Sequence, residues 1–280
     1  MDTSDLAKIM KDYEMRDRYF LQKRIPVAIR VDMRAGHTFT RGFKRPFDDI
    51  FMKSMQETAK YMCENIGNAK FAYIQSDEIT IILVDYDTLE TDCWFNYRTD
   101  KLCSIAASMA TMAFNKFFYE NVRKFSFNHT EAPARNKLLN TYLDAIKKGA
   151  MFDARCFNIP KEEVTNLVYW RQLDASRNSI QMVGQACFSH KELQNKSCND
   201  IQDMLMTQKG INWNDLPTYQ KRGSCCVRNK IIIKSDDVME TAQLRDTSKS
   251  ENEWIIDTEI PIFKGEGREY IDRLVFVGEE

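Results

Sequence analysis

Hydrophobic positions change period several times along the 280 residues, and each change marks an expected element. Residues 4–20 set Leu6, Ile9, Met10 and Tyr13 on one side of a helix. Ile25-Pro26-Val27-Ala28-Ile29-Arg30-Val31 is a short run rich in β-branched residues, which predicts a buried strand stopping at Asp32. Residues 32–46 are polar and carry Gly36 and Gly42, as a loop does. Asp48 or Asp49 then caps a helix with Phe51, Met55, Ala59, Met62 and Ile66 along one side, ended by Gly67. Residues 71–75 and 79–84 are two β-rich runs separated by Ser76-Asp77-Glu78, a hairpin with an acidic turn. A long helix is expected over roughly 94–121, with Ile105, Ala106, Met109, Met112, Ala113 and Phe117 as its apolar stripe. An amphipathic helix over 135–148 and a strand over 151–159, ending at Pro160, follow.

This order is the βαββαβ plan of a split-βαβ, ferredoxin-like sheet in the α+β class, with helices expected on one face. Residues 161–220 read as mainly helical, and 223–263 hold further strands at Ile231-Ile232-Ile233 and Trp254-Ile255-Ile256. No linker rich in Gly, Ser or Pro interrupts the chain, and no repeat is present. The organisation expected is a palm-like core with an N-terminal helix over 1–160 and a helical and β extension packed on it over 161–280.

Composition narrows the class. Hydrophobic residues make up 43%, with only 10 Gly and 6 Pro, which argues for a packed core and against low complexity. No apolar run approaches the ~20 residues that span a bilayer. The start, Met1-Asp2-Thr3-Ser4-Asp5, is acidic and unlike a signal peptide, so a cytoplasmic location is expected. Eight cysteines without a C-x₂-C pair, beside three scattered histidines, predict reduced thiols and not zinc or disulfides. The net charge of −1 means that any nucleic-acid site is a local patch. Its candidates are Lys44-Arg45, Arg98 with Lys101, Arg123-Lys124, Arg135 with Lys137, Lys147-Lys148 and Lys221-Arg222.

The chemistry is carried by acidic residues at strand ends. Asp32 closes the first strand and Asp77-Glu78 occupy the hairpin turn. In a βαββαβ sheet the first strand and the hairpin are central neighbours, so these carboxylates meet and repel one another unless a cation intervenes. Mg²⁺ takes a few carboxylates together with phosphates and water, and a pair of such ions serves phosphoryl transfer. The plain alternative is a capping Asp32 and an ordinary polar hairpin tip.

Arg30-Val31-Asp32-Met33-Arg34 with His37, Lys44-Arg45-Pro46-Phe47-Asp48 and Gln75-Ser76-Asp77-Glu78 resemble the tRNA(His) guanylyltransferase family. The likeness continues through Trp94-Phe95, residues 104–114, Phe152-Asp153-Ala154-Arg155 and Trp170-Arg171-Gln172-Leu173-Asp174. It is nearest the bacterial and archaeal guanylyltransferase-like branch, which repairs 5′-truncated tRNAs. The resemblance implies a polymerase-type palm extending tRNA from its 5′ end, with ATP and GTP as substrates, two Mg²⁺ ions and a homotetramer sharing one tRNA. It also implies roles: Asp32 and Asp77 as metal-bridging carboxylates with Glu78 beside them, and the backbone carbonyl of Met33 as a further metal ligand. His37, Arg45, Asp48 and Ser76 fall on positions lining the nucleotide site, and Arg30, Arg98 and Lys101 on phosphate-binding ones. Arg155, Arg171, Lys221 and Arg222 are the expected tRNA contacts.

Two positions depart from the family pattern, which has Gly after the first Asp and an aromatic before the His. Here Met33 and Gly36 stand there, which predicts a strained Met33 or a remodelled loop. Ser176 also replaces a His of the eukaryotic enzymes, which favours templated 5′ repair over addition of a single untemplated G. A rival is an RNA-binding module on the same sheet, but its exposed stacking aromatics are missing from 27–31.

Overall fold

The computed structural model describes residues 4–127, 133–229 and 253–278. Helices are α1 (Asp5–Arg16), α2 (Gly36–Phe39), α3 (Asp49–Asn65), α4 (Thr99–Phe127), α5 (Pro133–Lys148) and α6 (Lys161–Cys187). They continue with α7 (His190–Leu193), α8 (Cys198–Lys209), α9 (Thr218–Arg222) and α10 (Glu269–Val275). Strands are β1 (Val27–Met33), β2 (Ala69–Gln75), β3 (Glu78–Leu83), β4 (Phe152–Asn158), β5 (Ser224–Arg228) and β6 (Trp254–Asp257). They form one sheet in the order β4-β1-β3-β2-β5-β6, antiparallel throughout. The first four strands in the order 4-1-3-2 are the ferredoxin-like core that the sequence predicts.

Alternation along the strands sorts residues onto two faces. Val27, Ile29, Val31 and Met33 of β1 join Ile79, Ile81 and Leu83 of β3 under α3, α4 and α5. Ala28, Phe71, Tyr73 and Ile82 point the other way, against Val164 and Val168 of α6 and Ile271 and Leu274 of α10. Helices therefore cover both faces, where the sequence suggests one. The second face of β1–β3 is itself apolar, and its burial requires the C-terminal half of the chain. β5 extends the sheet from β2, with Cys226 on the first face and Cys225 on the second, as adjacent strand residues must be. All eight cysteines are free, three of them buried. The Ile231–Ile233 run lies outside the described residues.

Two helices differ from expectation. α1 buries no residue, so Leu6, Ile9, Met10 and Tyr13 are 47–68% exposed, and its apolar side has no partner within the described chain. In α4 the buried stripe is Leu102, Ala106, Ala110, Phe114, Phe118 and Val122, while Met112 faces solvent. The small residues of the predicted stripe are partly right, but the aromatic anchors sit one position further on.

Those anchors fix the segment that follows β1. Phe114 packs edge-on against Phe39 at 5.7 Å and stacks with Phe118 at 5.5 Å, and Phe43 stacks on Phe118 at 5.6 Å. Phe39 and Phe43 belong to the polar stretch 32–46, which is thereby pinned to α4. Truncating Phe114 to Ala removes the ring shared by Phe39, Phe51, Phe118 and Phe152. Denaturant unfolding of Phe114→Ala is expected to show a loss of about 3–5 kcal/mol.

Candidate active site

The end of β1 gathers carboxylates by register. Asp32 lies directly opposite Glu78 of β3 and Asp153 of β4. Alternation places all three on the face covered by α6, together with Arg30, while Val31 and Met33 are core residues of the other face. Asp77 completes the group from the two-residue turn, whose Ser76 takes a left-handed φ of 48°. The Met33 N–H donates to the Asp77 carbonyl at 3.0 Å, fastening the turn to β1.

Burial and crowding both show in the acidities. The Asp32 carboxyl is pushed from 3.8 up to about 6, chiefly by burial, then by Asp77, Glu78 and Asp153, with Arg155 opposing. The Asp77 carboxyl is also raised, mainly by burial, although its own backbone N–H and Ser76 stabilise the anion. Neither carboxylate has an ion-pair partner among the described residues. Among those residues no three His, Cys, Asp or Glu side chains form a ready-made metal cage.

Glu78 is the exception. Arg171 of α6 grips it through Nε to Oε1 at 2.8 Å and Nη2 to Oε2 at 2.9 Å, and the same guanidinium reaches Asp174 at 3.0 Å. Arg30 adds a longer contact of 3.8 Å. A bidentate buried pair of this kind is fixed in orientation, since removing either partner strands a charge. Glu78 therefore acts as the anchored neighbour of Asp32 and Asp77, and its carboxylate is turned to α6.

The loop 34–48 closes over Asp77. Ala35 adopts a left-handed φ of 56°, and α2 starts at the buried Gly36. A Cβ at Gly36 would fall 1.9 Å from Asp77 Oδ2, so only glycine admits this approach. His37 is exposed on α2 beside it, and Ser76 is exposed at the turn. The expected strain at Met33 is absent: it continues β1, is buried, and does not have a positive φ. The glycine requirement has moved three residues along, to Gly36.

Several expected ligands have other partners. Asp48 is the N-cap of α3, accepting from Phe51 N at 2.9 Å and Lys44 N at 2.9 Å, and from the Tyr142 hydroxyl at 2.6 Å. Its carboxylate thus ties the loop, α3 and α5 together. Arg45 is exposed in the same loop. Arg98 precedes α4 instead of sharing a helical face with Lys101; its buried Nε stands 2.8 Å from Asp100 Oδ1 without hydrogen-bond geometry. Lys101 is exposed in the first turn of α4.

Of the expected tRNA contacts, Arg171 is committed to Glu78, and buried Lys221 donates to the Asn214 carbonyl at 2.5 Å. In this structure both side chains are therefore buried and paired within the fold. Arg155 remains available on β4, 3.6 Å from Asp153 and half exposed. Arg222 is partly exposed, with its carbonyl accepting from Tyr73. Asp153 and Gly36 are the site residues that sequence reasoning left without a role. Asp153 was legible as an acid near the start of the fourth strand, whereas Gly36 needed the packing.

An antiparallel α+β sheet with carboxylates massed at one end is a frame suited to nucleotidyl transfer, and the likeness to known proteins gives that class. The model of the tRNAHis guanylyltransferase (Thg1) family matches residues 7–160, and the chain belongs to that family. It is 38% identical to a bacterial tRNA(His) guanylyltransferase-like protein solved with ATP, at a TM-score of 0.77 over 98% of this chain and 100% of that one. A bacterial guanylyltransferase-like structure with GTP shows 35% identity and a TM-score of 0.73 over 98% of this chain and 100% of that one. The tRNA(His) guanylyltransferase of Saccharomyces cerevisiae is 27% identical over 78% of this chain and 89% of its own.

Two outcomes follow from this geometry. Gly36→Ala forces Asp77 or α2 to move, and a thermal melt should show a loss of about 1–3 kcal/mol. For Asp32 the sign is opposite. A folded-state value of about 6 against 3.8 means that the stability of the protonated form is complete below pH ~4 and is lost as pH rises through 6. In metal-free buffer Asp32→Asn should therefore melt higher than wild type above pH ~6, by about 1–2 kcal/mol after allowance for solvent screening, and the gain should vanish near pH ~4.

Proposed function

We propose that this enzyme adds templated nucleotides to the 5′ end of tRNA, extending it in the 3′-to-5′ direction as a repair activity. The observation that carries the reading is the juxtaposition of Asp32 and Asp77, two carboxylates without ion-pair partners among the described residues, at one end of the sheet. The residues fit Mg²⁺: two carboxylates and the Met33 backbone carbonyl would hold two ions, with phosphates and water completing each shell. Bound there, Mg²⁺ supplies charge neutralisation at the attacking and leaving oxygens.

In this reading the 3′-hydroxyl of a nucleoside triphosphate attacks the activated 5′ phosphorus of tRNA. A new P–O bond forms, pyrophosphate or AMP leaves, and the hydroxyl proton passes to solvent. ATP activates a 5′ monophosphate, and GTP is among the nucleotides added. His37 and Ser76 flank Asp77 on the nucleotide side, and Arg45 stands exposed nearby in the chain. Arg30, Arg98 and Lys101 meet phosphates, as planar forks and a point charge do. Arg155 and Arg222 remain the candidates for the tRNA backbone.

Residues 1–160 serve as the catalytic core and 161–280 as its packed extension. Assembly into a homotetramer is supported by the apolar side of α1, which the described chain leaves exposed. A cytoplasmic setting accords with eight free cysteines. Templated repair is the reading supported by the sequence resemblance to the bacterial and archaeal branch, with which the likeness to two bacterial guanylyltransferase-like structures is consistent. Ser176 on α6 also lacks the ring of an imidazole, so base selection passes to pairing with the opposing strand.

Asp32→Ala and Asp77→Ala should each reduce nucleotide addition by at least about 10³-fold while retaining the fold, as read by single-turnover extension and circular dichroism. On 5′-truncated tRNAs supplied with one triphosphate at a time, wild type should insert C opposite G and U opposite A. Preference for G whatever the opposing base would replace repair with the guanylyltransferase reading.

A further inference from the structure

Adjacent residues of α6 differ in exposure at the carboxylate end of the sheet. Arg171 turns inward to Glu78, and Trp170 turns outward with 53% of its surface exposed. The Trp170 ring centroid lies 4.6 Å from the Arg171 guanidinium carbon and 5.8 Å from that of Arg30. Of the four tryptophans, Trp254 is buried, while Trp94 and Trp213 are half-buried, Trp213 with its N–H on Ser179 at 3.0 Å. Trp170 is the one tryptophan more than half exposed, and Leu173, one turn on, is 51% exposed.

An indole in this place serves no core. Its neighbours are two guanidinium groups, and Arg171 already ties them to the catalytic edge through Glu78. We propose that Trp170 is a stacking platform for the exposed base at the 5′ terminus of the tRNA, a proposal that rests on the function given above. A nucleobase laid on an indole backed by a guanidinium combines π-stacking with cation–π attraction, and every base has the required face. The tRNA terminus is favoured over the triphosphate base by position. Ser76 hydrogen-bonds Asp77, and α2, which carries His37, abuts it through Gly36, whereas Trp170 overlies Arg30, paired on the sheet with the half-exposed Arg155 of β4. The terminal base then sits on the basic side of the carboxylates, with its 5′ phosphate turned toward them.

The test measures binding of a 5′-truncated tRNA and of ATP separately, using wild type, Trp170→Leu and Trp170→Phe. Stacking contributes about 1–3 kcal/mol per base, so Trp170→Leu should raise the tRNA Kd by about 5- to 150-fold. Trp170→Phe should recover most of that loss, and ATP affinity should stay within about twofold in both. The salt dependence of tRNA binding should keep its slope in Trp170→Leu, since no phosphate contact is removed. Wild-type fluorescence should be quenched by the tRNA and not by ATP, a readout independent of how either variant folds. An unchanged tRNA Kd in Trp170→Leu, or an equal loss for ATP, overturns the platform while leaving the repair function standing. Failure of wild type to bind tRNA at all overturns the function itself.

Discussion

Electrostatic crowding at one end of the sheet is the constraint around which the molecule is organised. Register places Asp32, Glu78 and Asp153 side by side, and the turn adds Asp77. Like charges this close are tolerated only where some are compensated and others shift their acidity. Glu78 is compensated by Arg171 and Asp153 loosely by Arg155, which leaves Asp32 and Asp77 without ion-pair partners among the described residues, their pKa values raised first by burial and then by neighbouring carboxylates. Arg171 arrives on α6, and α6 is held by the second apolar core with α10. The C-terminal half of the chain is thus needed to make the acidic edge possible.

The loop after β1 is the second dependency. It is polar in sequence, yet Phe39 and Phe43 bind it to α4, and Asp48 caps α3 while accepting from Tyr142. With both ends held, Gly36 is delivered against the Asp77 carboxylate, where any side chain would collide. The rigid part of the candidate site is therefore built by packing on the opposite face of the sheet from the carboxylates.

How much of this was legible in the sequence follows from the range of each interaction. The βαββαβ order and the meeting of Asp32 with Asp77-Glu78 follow from local periodicity together with one topological rule, and the structure has both. Arg171 read as a basic residue and so as an RNA contact; that its partner is Glu78, 93 positions away, appears only once α6 is laid on the sheet. Asp48 carried a capping signal and a site expectation at once, and the cap is what its oxygens make. Met33 looked like a lost glycine because the backbone requirement shifts to Gly36, and such a shift leaves no mark on spacing. The exposed side of α1 shows the converse: periodicity announces an apolar face and is silent on what covers it.

If Asp32 and Asp77 form a divalent-cation site completed by a nucleotide, as proposed, metal binding must depend on both. Mn²⁺ is a spin-active stand-in for Mg²⁺, and its free signal in electron paramagnetic resonance falls as it is bound. Titrated with Mn²⁺ in the presence of a nucleoside triphosphate, wild type should bind two more ions per chain than an Asp32→Asn, Asp77→Asn double variant that retains its fold. Equal Mn²⁺ binding by the two proteins would contradict the account.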